Sequence, residues 1–128
     1  MKNRENVFVY GTLKFGFGNY RLLWDSECIG RARTLKKYDM YQSGIPFVME
    51  NKEVTQIFGE VYLVDENTMM NLDALEGHPD FYKRKKVDIL MENGDVISCW
   101  LYFYQGGYQK GMQHIMNGIF KQEKQLWI

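Results

Sequence analysis

Charge of one sign is missing from this chain: 16 acidic and 16 basic residues cancel over 128 positions. No strong field therefore draws it to nucleic acid or to an anionic membrane surface. The densest basic run, Lys83-Arg84-Lys85-Lys86, is short enough to be the solvated face or edge of a strand. Cysteine is equally scarce. Cys28 and Cys99 stand far apart and form no C-x-x-C pair, so they are expected to be free core thiols in a reducing, cytoplasmic setting. The opening Met1-Lys2-Asn3-Arg4-Glu5-Asn6 is too polar for a signal peptide, and no apolar run approaches a membrane span. His78 and His114 lack ligand spacing to cysteines or acids, which argues against zinc or another metal. None of Ser26, Ser43 and Ser98 sits in a nucleophile elbow, and no glycine pattern fits a Walker or dinucleotide loop.

What the chain has is rings and short apolar runs. Nine Tyr, eight Phe and three Trp suit a small β-rich domain with a ring-lined pocket. A length of 128 residues suits one domain, 1–128, with a proper core. Strands are expected at Val7–Tyr10, Ile29–Leu35, Lys37–Gln42, Phe47–Met49, Ile57–Val64, Tyr82–Met91 and Val96–Tyr104. Ser43-Gly44-Ile45-Pro46 and Glu92-Asn93-Gly94-Asp95 mark turns, the second the strongest hairpin signal present. Gly59 suggests a bulge or a close backbone approach. Tyr20–Trp24 reads as one or two helical turns. Asp65 reads as an N-cap, Met69, Leu72 and Leu75 recur at helical spacing, and Gly77 stops that helix. A second helix is expected over about Met112 to Lys124. Many short strands, one good helix and hairpins rather than regular βαβ units give an α+β fold with a mixed, largely antiparallel, curled sheet.

Two segments carry chemistry. Val7 to Tyr10 ends in Gly11, where Gly permits close approach and positive φ, and where strand-end N–H groups can cradle a carboxylate or oxyanion. A plain strand-to-loop turn is the alternative. Glu76 ends the apolar helix just before Gly77 and Pro79. The negative end of the helix dipole and desolvation both raise its pKa toward neutrality, where a carboxylate takes up and returns a proton. The alternative is an ordinary exposed acid. Tyr82, Tyr102 and Tyr104 are core residues or pocket hydroxyls, and Arg84 either holds a substrate carboxylate or pairs with a surface acid.

The pieces Val9-Tyr10-Gly11-Thr12-Leu13, Gly44-Ile45-Pro46, Phe58-Gly59-Glu60-Val61-Tyr62 and Leu72-Asp73-Ala74-Leu75-Glu76-Gly77, continued by Pro79, Tyr82 and Arg84, resemble the γ-glutamylcyclotransferase-like family, which includes the γ-glutamylamine cyclotransferases and AIG2-like proteins. Ile115-Met116-Asn117-Gly118-Ile119-Phe120 looks like a divergent form of its closing I-x-x-G-x-W element. The resemblance implies a small β-barrel with flanking helices and a pocket between the Tyr10–Leu13 loop and Glu76. It also implies release of 5-oxoproline from a small γ-glutamyl amine or amino acid, with no cofactor. Glu76 would then be the general acid/base, Gly11, Thr12 and Leu13 the anion cradle, Tyr82 an orienting group and Tyr10 a wall. A non-catalytic module binding a small ligand or partner, and an amide hydrolase with Glu76 activating water, are the competing readings. Oligomeric state is left open.

Overall fold

A computed structural model describes residues 3–11 and 19–121. Five strands close into a barrel in the order β1-β5-β2-β6-β7: β1 (Arg4–Val9), β2 (Glu27–Thr34), β5 (Phe58–Asp65), β6 (Tyr82–Met91) and β7 (Val96–Tyr104). Every pairing is antiparallel except the closure of β1 on β7, which is parallel at Val7 and Trp100. A second sheet, β4-β3-β8, joins β3 (Asp39–Ser43), β4 (Ile45–Met49) and β8 (Gln113–His114). The expected mixed, largely antiparallel barrel is therefore what forms.

Period-two alternation divides β1 between two cores. Phe8 and Tyr10 pack with Val61, Ile89, Leu101 and Phe103, whereas Val7 and Val9 pack with Phe47, Tyr62, Met69 and Leu72. The second core fastens α1 (Glu66–Glu76) to the barrel. Burying Met69 and Leu72 contributes on the order of 2 kcal/mol each. Gly59 makes the close approach foreseen for it: any Cβ there would run into the Val9 carbonyl. The bulge lies instead on β2, between Cys28 and Gly30.

Two expectations need correcting. The tail does not form a helix over Met112–Lys124 within its described part: β8 occupies 113–114, and irregular chain follows to residue 121. Its backbone groups are drawn into the sheets. Ile115 N–H donates to the Met40 carbonyl (2.8 Å), and the Gly118 carbonyl accepts from Phe58 N–H (2.9 Å). Gly111 and Gly118 both have positive φ, and Ile115 and Phe120 are buried in the core. Cys28 is exposed, so only Cys99 is a core thiol, and burial pushes its pKa up to about 12. Among the described residues no helix is long and apolar enough to cross a membrane.

Candidate active site

The end of β1, the β3–β4 hairpin, the end of α1 and the edge of the β6–β7 hairpin meet around a cavity of about 170 Å³. Its walls include Tyr10 and Gly11 after β1, Pro46 of β4, Glu76 of α1, Tyr82 of β6 and Tyr102 of β7. Ile45, Leu75 and Phe81 also line it while remaining 39%, 43% and 48% exposed, which makes an apolar rim. The cavity lies well below the roughly 300 Å³ at which sites for drug-sized ligands begin. One small group fits inside; whatever is attached to it lies across the rim.

Glu76 reaches this cavity because α1 is capped at both ends. The Asp65 side chain accepts from Thr68 N–H at 2.8 Å. At the other end Gly77 adopts φ 64°, His78 N–H donates to the Asp73 carbonyl (3.0 Å) and Gly77 N–H to that of Ala74 (3.3 Å), a Schellman closure. The helix therefore stops with Glu76 as its last residue. Burial among the cavity walls pushes the carboxyl up to about 7, and the negative end of the helix acts in the same direction. Glu76 is thus half-buried and poised near neutrality rather than an ordinary exposed acid.

The other expected site residues divide in three ways. Tyr10 and Tyr82 are buried and line the cavity, but both hydroxyl protons are committed: Tyr10 donates to the Tyr102 carbonyl (2.7 Å) and Tyr82 to the Pro46 carbonyl (2.5 Å). Burial holds both phenols well above their ordinary pKa. Gly11 also lines the cavity. It earns its place by proximity rather than by the positive φ considered for it: a Cβ there would stand 2.7 Å from Pro46 Cγ, and its φ is not positive. Thr12 and Leu13 lie outside the described residues.

A second constellation was not assembled from the sequence. Arg84 does not face the cavity as a carboxylate clamp. It grips Asp73 with Nε–Oδ1 at 2.9 Å and Nη2–Oδ2 at 3.2 Å, and its guanidinium carbon lies 4.3 Å from the centre of the Trp100 ring. The Tyr102 hydroxyl adds a bond to Asp73 Oδ1 at 2.6 Å. Burial alone would raise the Asp73 pKa, but the bonds from Arg84 and Tyr102 outweigh it and lower the value. The one signal available was an acid a helical turn before Glu76 together with Arg84 two residues beyond Tyr82, on the same strand face.

The geometry is one desolvated carboxyl beside a strand-end backbone in a small mixed barrel, an arrangement that suits proton transfer. The sequence profile described as gamma-glutamyl cyclotransferase, AIG2-like matches residues 7–122, and the chain belongs to that family of enzymes. A Methanocaldococcus jannaschii protein named "Putative gamma-glutamylcyclotransferase" is 52% identical over 101 residues, 78% of this chain and 84% of its own length. The gamma-glutamylaminecyclotransferase of Bos taurus is 38% identical over 106 residues, 75% of this chain and 63% of that protein. The crystal structure of an AIG2-like protein from Mus musculus superposes with a TM-score of 0.82 at 25% identity, covering 95% of this chain and 91% of the mouse chain.

Proposed function

We propose that the chain releases 5-oxoproline from a γ-glutamyl amine or amino acid, by attack of the substrate's own α-amine on its side-chain carbonyl. The observation that carries this reading is Glu76, a carboxyl poised near pH 7 in an apolar cavity whose lining includes the backbone at Gly11. As carboxylate, Glu76 takes a proton from the α-ammonium. The freed nitrogen bonds to the side-chain carbonyl carbon, and the carbonyl oxygen takes up negative charge. Collapse of this tetrahedral species breaks the original C–N bond while Glu76 returns its proton to the leaving nitrogen, and the second proton of the new ring nitrogen passes through the same carboxylate to the departing amine, which leaves as an ammonium. Because nucleophile and electrophile belong to one molecule, folding the substrate into the ring-closing pose is worth an effective molarity on the order of 10⁵ M or more. No protein nucleophile is required.

N–H groups from Gly11 to Leu13 hold the substrate carboxylate or the oxyanion. Since the Tyr82 proton is committed to Pro46, its oxygen acts as an acceptor and orients the α-ammonium, while Tyr10 serves as a wall. The apolar rim of Ile45, Leu75 and Phe81 suits a leaving amine with an apolar body, in keeping with relatives named for γ-glutamylamines. Free thiols at Cys28 and Cys99 suit a reducing, cytoplasmic setting.

The test is a panel of γ-glutamyl amides and dipeptides assayed for 5-oxoproline. Glu76→Gln is expected to fold and bind but to lose roughly 10²–10⁴-fold in turnover; near-full rate in that variant removes Glu76 from the mechanism. A substrate with its α-amine blocked is expected to bind and stay intact. Release of the N-blocked glutamate from it identifies water as the attacking group.

A further inference from the structure

The apolar contacts of α1 stop short of the site. Its only buried residues are Met69 and Leu72, whereas Leu75, in the last turn, is 43% exposed. Among the described residues, apolar packing therefore holds the last turn less firmly than the turn before it. What joins this turn to the barrel is polar: Asp73, one helical turn before Glu76, takes two bonds from Arg84 of β6 and one from Tyr102 of β7. Arg84 and Tyr102 are direct cross-strand partners on one face of the β6–β7 hairpin, so both reach the same carboxylate. A second tie runs alongside, because Arg84 N–H donates to His78 Nδ1 (3.2 Å) just past the helix end. Tyr102 is itself a cavity wall and accepts the Tyr10 hydroxyl at its carbonyl.

We propose that Asp73 and Arg84 are positioning residues for Glu76: their ion pair, closed by the Tyr102 hydroxyl, anchors the last turn of α1 and cancels the negative charge one turn away from the Glu76 carboxyl. This rests on the cyclotransferase reading of the site. Both roles follow from place. Residues three apart on a helix have Cβ atoms about 5–6 Å apart, close enough for an unpaired Asp73 to hold a proton on Glu76. Among the described residues, the other titratable groups that feel Glu76 are Tyr10 just after β1, Tyr82 of β6 and Tyr102 of β7, all kept neutral by burial, with His78 beyond the helix end. With the Asp73–Arg84 pair intact, burial is what raises Glu76; the charge of either partner comes to bear on that proton once the other is removed.

Removing either partner loosens the same anchor but changes the charge in opposite senses, which separates positioning from mere support of the fold. With the best substrate of the panel, Asp73→Asn and Arg84→Gln are both expected to lower kcat by about 10- to 100-fold, with KM changed less than about threefold. The acid limb of kcat/KM moves up in Arg84→Gln and down in Asp73→Asn, each by about half a pH unit or more, and Arg84→Lys restores the limb in part. NMR titration of the Glu76 carboxyl carbon reads the same opposite shifts without turnover. Wild-type kcat and an unmoved Glu76 titration in both variants overturn this inference alone. A wild-type protein that forms no 5-oxoproline from any member of the panel overturns the cyclotransferase reading and this inference with it.

Discussion

Asp73 and Glu76 are carboxylates one turn apart on the same helix, and their surroundings drive them in opposite directions. Asp73 points at a guanidinium and a phenol, is held by three hydrogen bonds and stays charged. Glu76 points into a cavity walled by rings and aliphatic groups, and burial brings its pKa to about 7. The residue chemistry is nearly identical; what differs is the company supplied by β6, β7 and the first strand. A structural acid and a reactive one are told apart by whether burial is compensated.

The largest effect that can break this contrast is on rate. Glu76→Asp keeps the charge but withdraws it by a methylene, and is expected to cost on the order of 10²-fold in kcat, measured as 5-oxoproline release. Gly11→Ala comes next. Its new Cβ meets Pro46 Cγ at 2.7 Å, so the strand end or the hairpin must shift; we expect a loss of about 1–3 kcal/mol in denaturant unfolding, typical of overpacking, together with a fall in kcat/KM.

Stability against pH sharpens the comparison further. The folded-state pKa of Glu76 is raised from 4.5, so its contribution is fully present below pH 4.5 and lost as pH rises through about 7. That of Asp73 is lowered from 3.8, so its contribution is present above pH 3.8 and lost as pH falls below it. Glu76→Gln should therefore match the wild type at pH 4 and be the more stable protein at pH 8, by at most about 3 kcal/mol. Urea melts of the two proteins at both pH values check the sign. The smallest effect is expected from Tyr102→Phe, which removes one bond to Asp73 and costs about 1 kcal/mol. Acid unfolding of that variant should begin at higher pH than in the wild type.

Much of the scaffold could be read along the chain because the relevant signals are local. Asn93-Gly94 fixed the hairpin, and the strands on either side of it run over Tyr82–Met91 and Val96–Tyr104 as expected. Asp65 caps α1 and Gly77 closes it, which put Glu76 at a helix end before any packing was known. The same reading failed where distant groups decide. Asp73, Arg84 and Tyr102 meet only through strand register and a helix laid across it. The tail carries some helical spacing, but its N–H and C=O groups find partners on Met40 and Phe58 instead. The Tyr10 and Tyr82 hydroxyls are satisfied by backbone carbonyls of Tyr102 and Pro46, which no spacing along the chain encodes.

One bond described above bears on the order of assembly. The Tyr10 hydroxyl and the carbonyl it meets are 92 positions apart, and the same strand closes the barrel against β7 at Val7 and Trp100. Joining segments so remote costs loop-closure entropy before it is rewarded, which places such barrels among the slower folders, in the millisecond-to-second range. Completing the wall facing Glu76 thus carries a large loop-closure cost. The chamber that desolvates that carboxyl exists only once these remote segments have met.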